Sequence, residues 1–168
     1  MMSPMTQEAP SKETTPIKVG ATAPEFTLPD QDKKDFRLSD WRGKRPVALF
    51  FYPLDWSPTC SKENACFTKD LSRFSEYAEL AAVSVDSTWS HKAWVEKMGL
   101  KHRLLSDMQR AVTKAYGLFH PGINAAQRAT VLVGKDGKVA WVKVEADIAK
   151  ERDYGEVETE LRKLAARS

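Results

Sequence analysis

The chain has 168 residues, of which 42% are hydrophobic and 29% charged, with 26 Lys and Arg against 23 Asp and Glu. That length suits one domain with a substantial core, and a net charge of +3 is too balanced to argue for nucleic acid or a membrane surface. No stretch reaches the ~18 apolar residues of a transmembrane helix, and two cysteines cannot build a disulfide framework.

Residues 1–16 are polar and rich in Ser, Thr, Pro, Glu and Lys, and they read as a disordered tail before a single domain over residues 17–168. Residues 1–19 carry no apolar h-region, so they are not read as a secretory signal, and a cytoplasmic location is expected. In a reducing compartment two cysteines are chemical rather than structural. Residues 23–30 alternate apolar and polar and end in a turn, and residues 36–41 are expected to pair with them across the polar residues 31–34 as an N-terminal hairpin. Residues 46–52 are continuously apolar, as in a strand covered on both faces.

Cys60 follows that strand, after a short polar loop, where helical spacing begins. Phe67, Leu71, Phe74 and Ala78 form the apolar face of one expected helix, and Cys60 lies on the same side. A helix N-terminus offers unpaired N–H groups and the positive end of the macrodipole, which both favour a thiolate. Most free cysteines are small buried hydrophobes, but the loop before Cys60 is made of turn-forming rather than core residues.

Further along, residues 80–86 read as a strand. Residues 90–98 read as a helix with Ser90 as N-cap and Gly99 as its stop. Residues 104–107 form a short strand, and residues 109–116 a helix ended by Gly117. Residues 128–133 and 138–144 are strands joined through Gly134, Lys135, Asp136 and Gly137, where Asp-Gly supplies a positive-φ turn. Residues 157–166 close the chain as a helix. This order implies an α/β fold with a mixed sheet. No two histidines have metal-like spacing with a carboxylate, so no metal site and no cofactor are expected. His91 is read as capping or packing. His102, between Lys101 and Arg103, is read as solvated, and His120 is not convincing as a base.

Pro53, Ser57 and Cys60 stand in the spacing P-x-x-x-[T/S]-x-x-C, which resembles the active-site motif of the peroxiredoxins, the thiol peroxidases of the AhpC/TSA type. The resemblance extends along nearly the whole chain from about Val19. It includes Gly20, Ala23, Pro24, Phe26 and Leu28 in the opening segment, Leu38-Ser39-Asp40 with Arg42-Gly43-Lys44, and Ser84-Val85-Asp86-Ser87 with His91, Ala93 and Trp94. Leu105-Ser106-Asp107, Ala115-Tyr116-Gly117 and Arg128-Ala129-Thr130 complete it. Ser57 stands where threonine is commoner, keeping the hydroxyl but losing a methyl.

The resemblance implies a thioredoxin-like fold, a central mixed β-sheet flanked by helices with an N-terminal β-hairpin extension. It implies peroxide reduction by Cys60, through a sulfenic acid. Arg128 and the hydroxyl of Ser57 would then act on the peroxide oxygens, Pro53 would shield the sulfur, and backbone N–H groups around Thr59 and Cys60 would add donors. Glu63 either orients Arg128 as a bidentate partner or is simply a helix-start charge. Cys66 is open between two roles. The bacterioferritin-comigratory or Q type resolves its sulfenic acid with a cysteine five residues on, but here the offset is six (66 − 60), and no cysteine follows Cys66. The alternative is a one-cysteine enzyme. The implied partners are hydrogen peroxide or an organic hydroperoxide and thioredoxin or another thiol reductant, with a monomer or homodimer and neither nucleic acid nor membrane. Three other readings compete. A redox sensor or chaperone would use the same sulfenic acid, a copper-handling thioredoxin-fold protein would want C-x-x-x-C with a distal histidine, and a dithiol carrier would want C-x-x-C. Neither of the two spacings occurs.

Overall fold

The structure is a computed structural model that describes residues 11–167. A short antiparallel hairpin opens it, β1 (Thr27–Pro29) with β2 (Asp35–Arg37), and a 3-10 turn follows over Leu38–Trp41. Next come β3 (Val47–Phe51), α1 (Pro58–Lys69), α2 (Leu71–Ser75), β4 (Glu79–Ser84), α3 (Thr88–Met98), β5 (Leu104–Ser106) and α4 (Ala111–Ala115). The chain ends with a two-residue pair, β6 (Phe119–His120) and β7 (Ala125–Ala126), then β8 (Ala129–Val133), β9 (Val139–Val144) and α5 (Tyr154–Ala166). The main sheet has five strands in the order β5-β4-β3-β8-β9. β3 pairs parallel with β4 and antiparallel with β8, so the sheet is mixed. No helix among the described residues is long and apolar enough to cross a membrane.

Strand period sets the two cores. Val47, Leu49 and Phe51 point to one face, against Phe26, Phe36, Val112 and Tyr116. Ala48, Phe50 and Tyr52 point to the other, against Cys60, Phe67, Phe74, Trp94, Val157 and Leu161. The hairpin and α4 therefore cover one face, and α1, α2, α3 and α5 contribute to the other. Both faces of β3 are buried, as its unbroken apolar run requires.

Several local expectations are corrected. The single helix expected after Cys60 is two, because Asp70 leaves helical geometry at φ −101°, ψ 19°; Cys60, Phe67, Phe74 and Ala78 still share one core across the break. The second hairpin strand stops at Arg37, since Leu38 turns into the 3-10 segment to donate its N–H to Phe26 O. The cap of α3 is Ser87 rather than Ser90: Ser87 Oγ accepts from Ser90 N at 3.1 Å. α4 starts only at Ala111, after Arg110 at φ 60°, because the Asp107 carboxylate takes the N–H groups of Val112 and Thr113. The pair β6–β7 had no sequence signal. Of the tail expected over residues 1–16, residues 1–10 lie outside the described residues; within the rest, Glu13 O accepts from Phe119 N, which ties that segment to the domain.

Candidate active site

Cys60 is held at the N-terminus of α1 by local chemistry. Ser57 is the N-cap, with extended backbone, and its Oγ accepts from Cys60 N at 3.3 Å. Pro58 occupies the first helical position, where a missing N–H costs nothing. The Cys60 N–H, expected as a donor to substrate, is thus committed to Ser57. Thr59 Oγ1 donates to Ala149 O at 3.2 Å and ties the helix start to the loop before α5. Pro53 is buried in the loop that follows β3.

The charges come from distant segments. Arg128, just before β8, sends Nη2 to Cys60 Sγ at 3.1 Å and Nη1 to Glu63 Oε1 at 2.7 Å. Its Nε and Nη2 also donate to Ile148 O. Glu63 is therefore the orienting partner of Arg128, through one oxygen rather than two. Its Oε1 also meets Arg152 Nη2 at 2.9 Å, and its Oε2 accepts from Arg152 N at 2.9 Å. Arg152 in turn donates to Phe51 O, Ala129 O and Thr130 Oγ1, which fastens the site to the ends of β3 and β8. Cys60, Glu63, Arg128 and Arg152 are all buried. Burial alone would raise the Glu63 carboxyl, but Arg152 and then Arg128 outweigh it and hold it below the usual carboxylate range. For Arg152 burial works against the charge, and Glu63 outweighs it.

The loop between β3 and α1 is anchored by a second buried cluster. Asp55 accepts from Tyr52 Oη at 2.6 Å and from Ser90 Oγ at 2.9 Å, and it meets His91 Nδ1 at 2.7 Å. Its N–H donates to Asp86 Oδ2 at 2.8 Å. Burial, then the Asp55 charge, raises the Asp86 carboxyl. His91 is thus a packed anchor of this loop. Next in the loop, Trp56 sits at φ 70°, a conformation that costs a non-glycine residue on the order of 1–3 kcal/mol. Its Nε1 donates to Ser90 Oγ and its ring lies 6.4 Å from Trp94, so tertiary contacts hold it there.

His102 is not solvated; it is 3% exposed under α1. Its Nδ1 meets Thr68 Oγ1 at 2.6 Å and its Nε2 meets Asn64 Oδ1 at 2.8 Å. Burial pushes its pKa down to about 3. The unfolded chain carries an ordinary imidazole that protonates near pH ~6.5. Between those values the unfolded state binds more protons, so stability falls as pH falls, by up to ~1.4 kcal/mol per pH unit. Urea unfolding between about pH 6.5 and about 4.5, above the carboxylate range, should show this slope in the native protein and a shallower one in His102→Gln. Equal slopes would mean that the ring titrates normally.

Cys66 is exposed, and α1 runs unbroken past it. The structure therefore brings Cys60, Ser57, Glu63 and Arg128 together, turns the Thr59 hydroxyl to Ala149 O, buries Pro53 in the preceding loop, and leaves Cys66 exposed on the same helix. Sequence reasoning missed Arg152, which stands in a charged run (Lys150, Glu151, Asp153) with no apolar pattern. It also missed Asp55 and Asn64.

Residues 19–142 match the AhpC/TSA family. A chloroplastic 2-Cys peroxiredoxin of Hordeum vulgare is 37% identical over 132 residues, covering 72% of this chain and 63% of that protein. The chain thus spans less than two thirds of the barley protein's length. A chloroplastic peroxiredoxin Q of Sedum lineare is 41% identical over 133 residues, covering 75% of this chain and 68% of the other. Among solved structures, the reduced 2-Cys peroxiredoxin of Plasmodium vivax is similar with a TM-score of 0.80 at 31% identity, covering 89% of this chain and 97% of that one.

Proposed function

Because the chain belongs to the AhpC/TSA family of peroxiredoxins, we propose that it is a thiol-dependent peroxidase acting on hydrogen peroxide or organic hydroperoxides. The observation that carries this reading is Arg128 Nη2 lying 3.1 Å from Cys60 Sγ at a helix N-terminus. The Cys60 thiolate attacks one peroxide oxygen. A sulfur–oxygen bond forms, the oxygen–oxygen bond breaks, and the departing oxygen takes up a proton to leave as water or alcohol. Cys60 is left as a sulfenic acid. The Arg128 guanidinium, steered by Glu63, donates to the peroxide and to the charge that develops on the leaving oxygen. The Ser57 hydroxyl accepts from Cys60 N and keeps its own proton to donate. Pro53 shields the sulfur.

Recycling falls to Cys66 or to an external thiol such as thioredoxin. In an intact helix six residues (66 − 60) rise about 9 Å, whereas a disulfide needs Cα atoms within about 7 Å. Resolution by Cys66 therefore requires the first turns of α1 to unwind. One equivalent of hydrogen peroxide followed by intact mass under non-reducing conditions tests both points. A loss of two hydrogens marks an intrachain disulfide, and a gain of one oxygen marks a one-cysteine enzyme. An unchanged mass with unconsumed peroxide overturns the peroxidase reading.

A further inference from the structure

Three hydrogen bonds tie α1 to the link between α3 and β5, and a fourth, within α1, carries the chain on to Cys60. Lys101 N donates to Thr68 Oγ1 at 3.0 Å, and Thr68 Oγ1 meets His102 Nδ1 at 2.6 Å. His102 Nε2 meets Asn64 Oδ1 at 2.8 Å, and Asn64 Nδ2 donates to Cys60 O at 2.9 Å. The partners assign every proton. An amide oxygen only accepts, so Nε2 carries the ring hydrogen. Nδ1 then accepts from the Thr68 hydroxyl, whose oxygen already receives Lys101 N–H. The chain is complete at each atom, and Asn64 and His102 are 4% and 3% exposed. Phe67 holds the imidazole in place, its ring edge-on at 4.7 Å.

This chain ends on the backbone of the residue whose sulfur must move. Cys60 is fully buried, so a protein thiol or a bulky reagent meets its sulfur only after the first turn of α1 opens. Opening removes the Cys60 carbonyl from Asn64, and unwinding as far as Cys66 also pulls Asn64 from His102. We infer that Asn64 and His102 are positioning residues that hold the first turns of α1 wound and thereby set how often Cys60 is presented to a second thiol. The inference rests on the reading of Cys60 as the reactive cysteine. Within that reading, the resolving step on Cys66 would form a bond between its sulfur and Cys60 Sγ. The sulfenic sulfur–oxygen bond breaks, and the oxygen leaves as water with the proton of the Cys66 thiol. The anchor opposes that step while leaving Arg128 and Glu63 in place for peroxide attack.

The test uses the full-length reduced protein in a Cys66→Ser background and needs no peroxide. Labelling of Cys60 by Ellman's reagent and amide exchange over residues 58–66 are followed for Asn64→Ala, His102→Phe and His102→Gln. Losing one or two buried hydrogen bonds should speed both by about 5- to 30-fold in Asn64→Ala and His102→Phe. His102→Gln, whose amide still donates to Asn64, should recover part of the protection. Unchanged labelling, or exchange that rises by the same factor in β3 and β4 as in α1, would assign these residues to global stability and overturn the inference. Should His102→Phe fail to fold, Asn64→Ala and His102→Gln decide by the same comparison. Faster labelling in a protein that consumes no peroxide would sink the peroxidase reading and leave the anchor standing.

Discussion

Cys60→Ser should abolish peroxide reduction while leaving a folded protein. Serine keeps the shape of the side chain, and Arg128 Nη2 can donate to its oxygen as it does to the sulfur. It lacks the thiolate that does the chemistry. Replacing a buried thiol by a hydroxyl in the core that holds Phe67 and Phe74 should cost about 1 kcal/mol, a drop in Tm of about 2–4 °C for a chain of this size. Stopped-flow peroxide consumption with thioredoxin or dithiothreitol as reductant gives the answer. The native protein should run many cycles, as a sensor that oxidises once need not. Consumption by Cys60→Ser at near the native rate would remove Cys60 from the chemistry altogether.

Arg128→Ala should slow the attack on peroxide by about 100- to 1,000-fold, the ~2.7–4 kcal/mol seen when one preorganised donor to a developing oxyanion is lost. Breaking a buried ion pair normally destabilises as well, because the remaining charge is stranded. Here Glu63 keeps the Arg152 side chain and the Arg152 backbone N–H. The fold should therefore lose much less than the rate does. Arg128→Lys sharpens the test. An ammonium keeps the charge but not the fork that reaches Cys60 Sγ, Glu63 and Ile148 O together, so its rate should fall between alanine and arginine. A native rate combined with a collapsed Tm would make Arg128 a structural residue.

The candidate site divides by sequence distance. Ser57 and Cys60 lie within one cap motif, and their hydrogen bond follows from that motif. Glu63 lies one turn on, and its pairing with Arg128 was legible as one of two roles, but its second partner, Arg152, was not. Arg128 looks like a strand-start charge in isolation; only the family resemblance singled it out. Arg152 and His102 gave misleading signals, because charged neighbours in sequence suggested solvent. Arg152 is buried because its run crosses the open ends of β3 and β8, where Phe51 O, Ala129 O and Thr130 Oγ1 need donors. His102 is buried because the link from α3 to β5 passes beneath α1, where Asn64 and Thr68 complete its hydrogen bonds.

The amino-acid sequence by itself determined the alternation of strands and helices, the doubly buried β3 and the cysteine at a capped helix start. Each of these depends on periodicity and on neighbours within a few residues. The tertiary structure alone decided the charge arrangement around the sulfur and the strap under α1. A buried ion pair or hydrogen-bond chain is made between segments whose spacing in sequence carries no information about their meeting. Arg128 lies 68 positions from Cys60 and His102 lies 38 from Asn64; the antiparallel pairing of β3 with β8 puts Arg128 beside the C-terminal end of β3, and the parallel pairing of β4 with β5 puts His102 before the N-terminal end of β5, under α1.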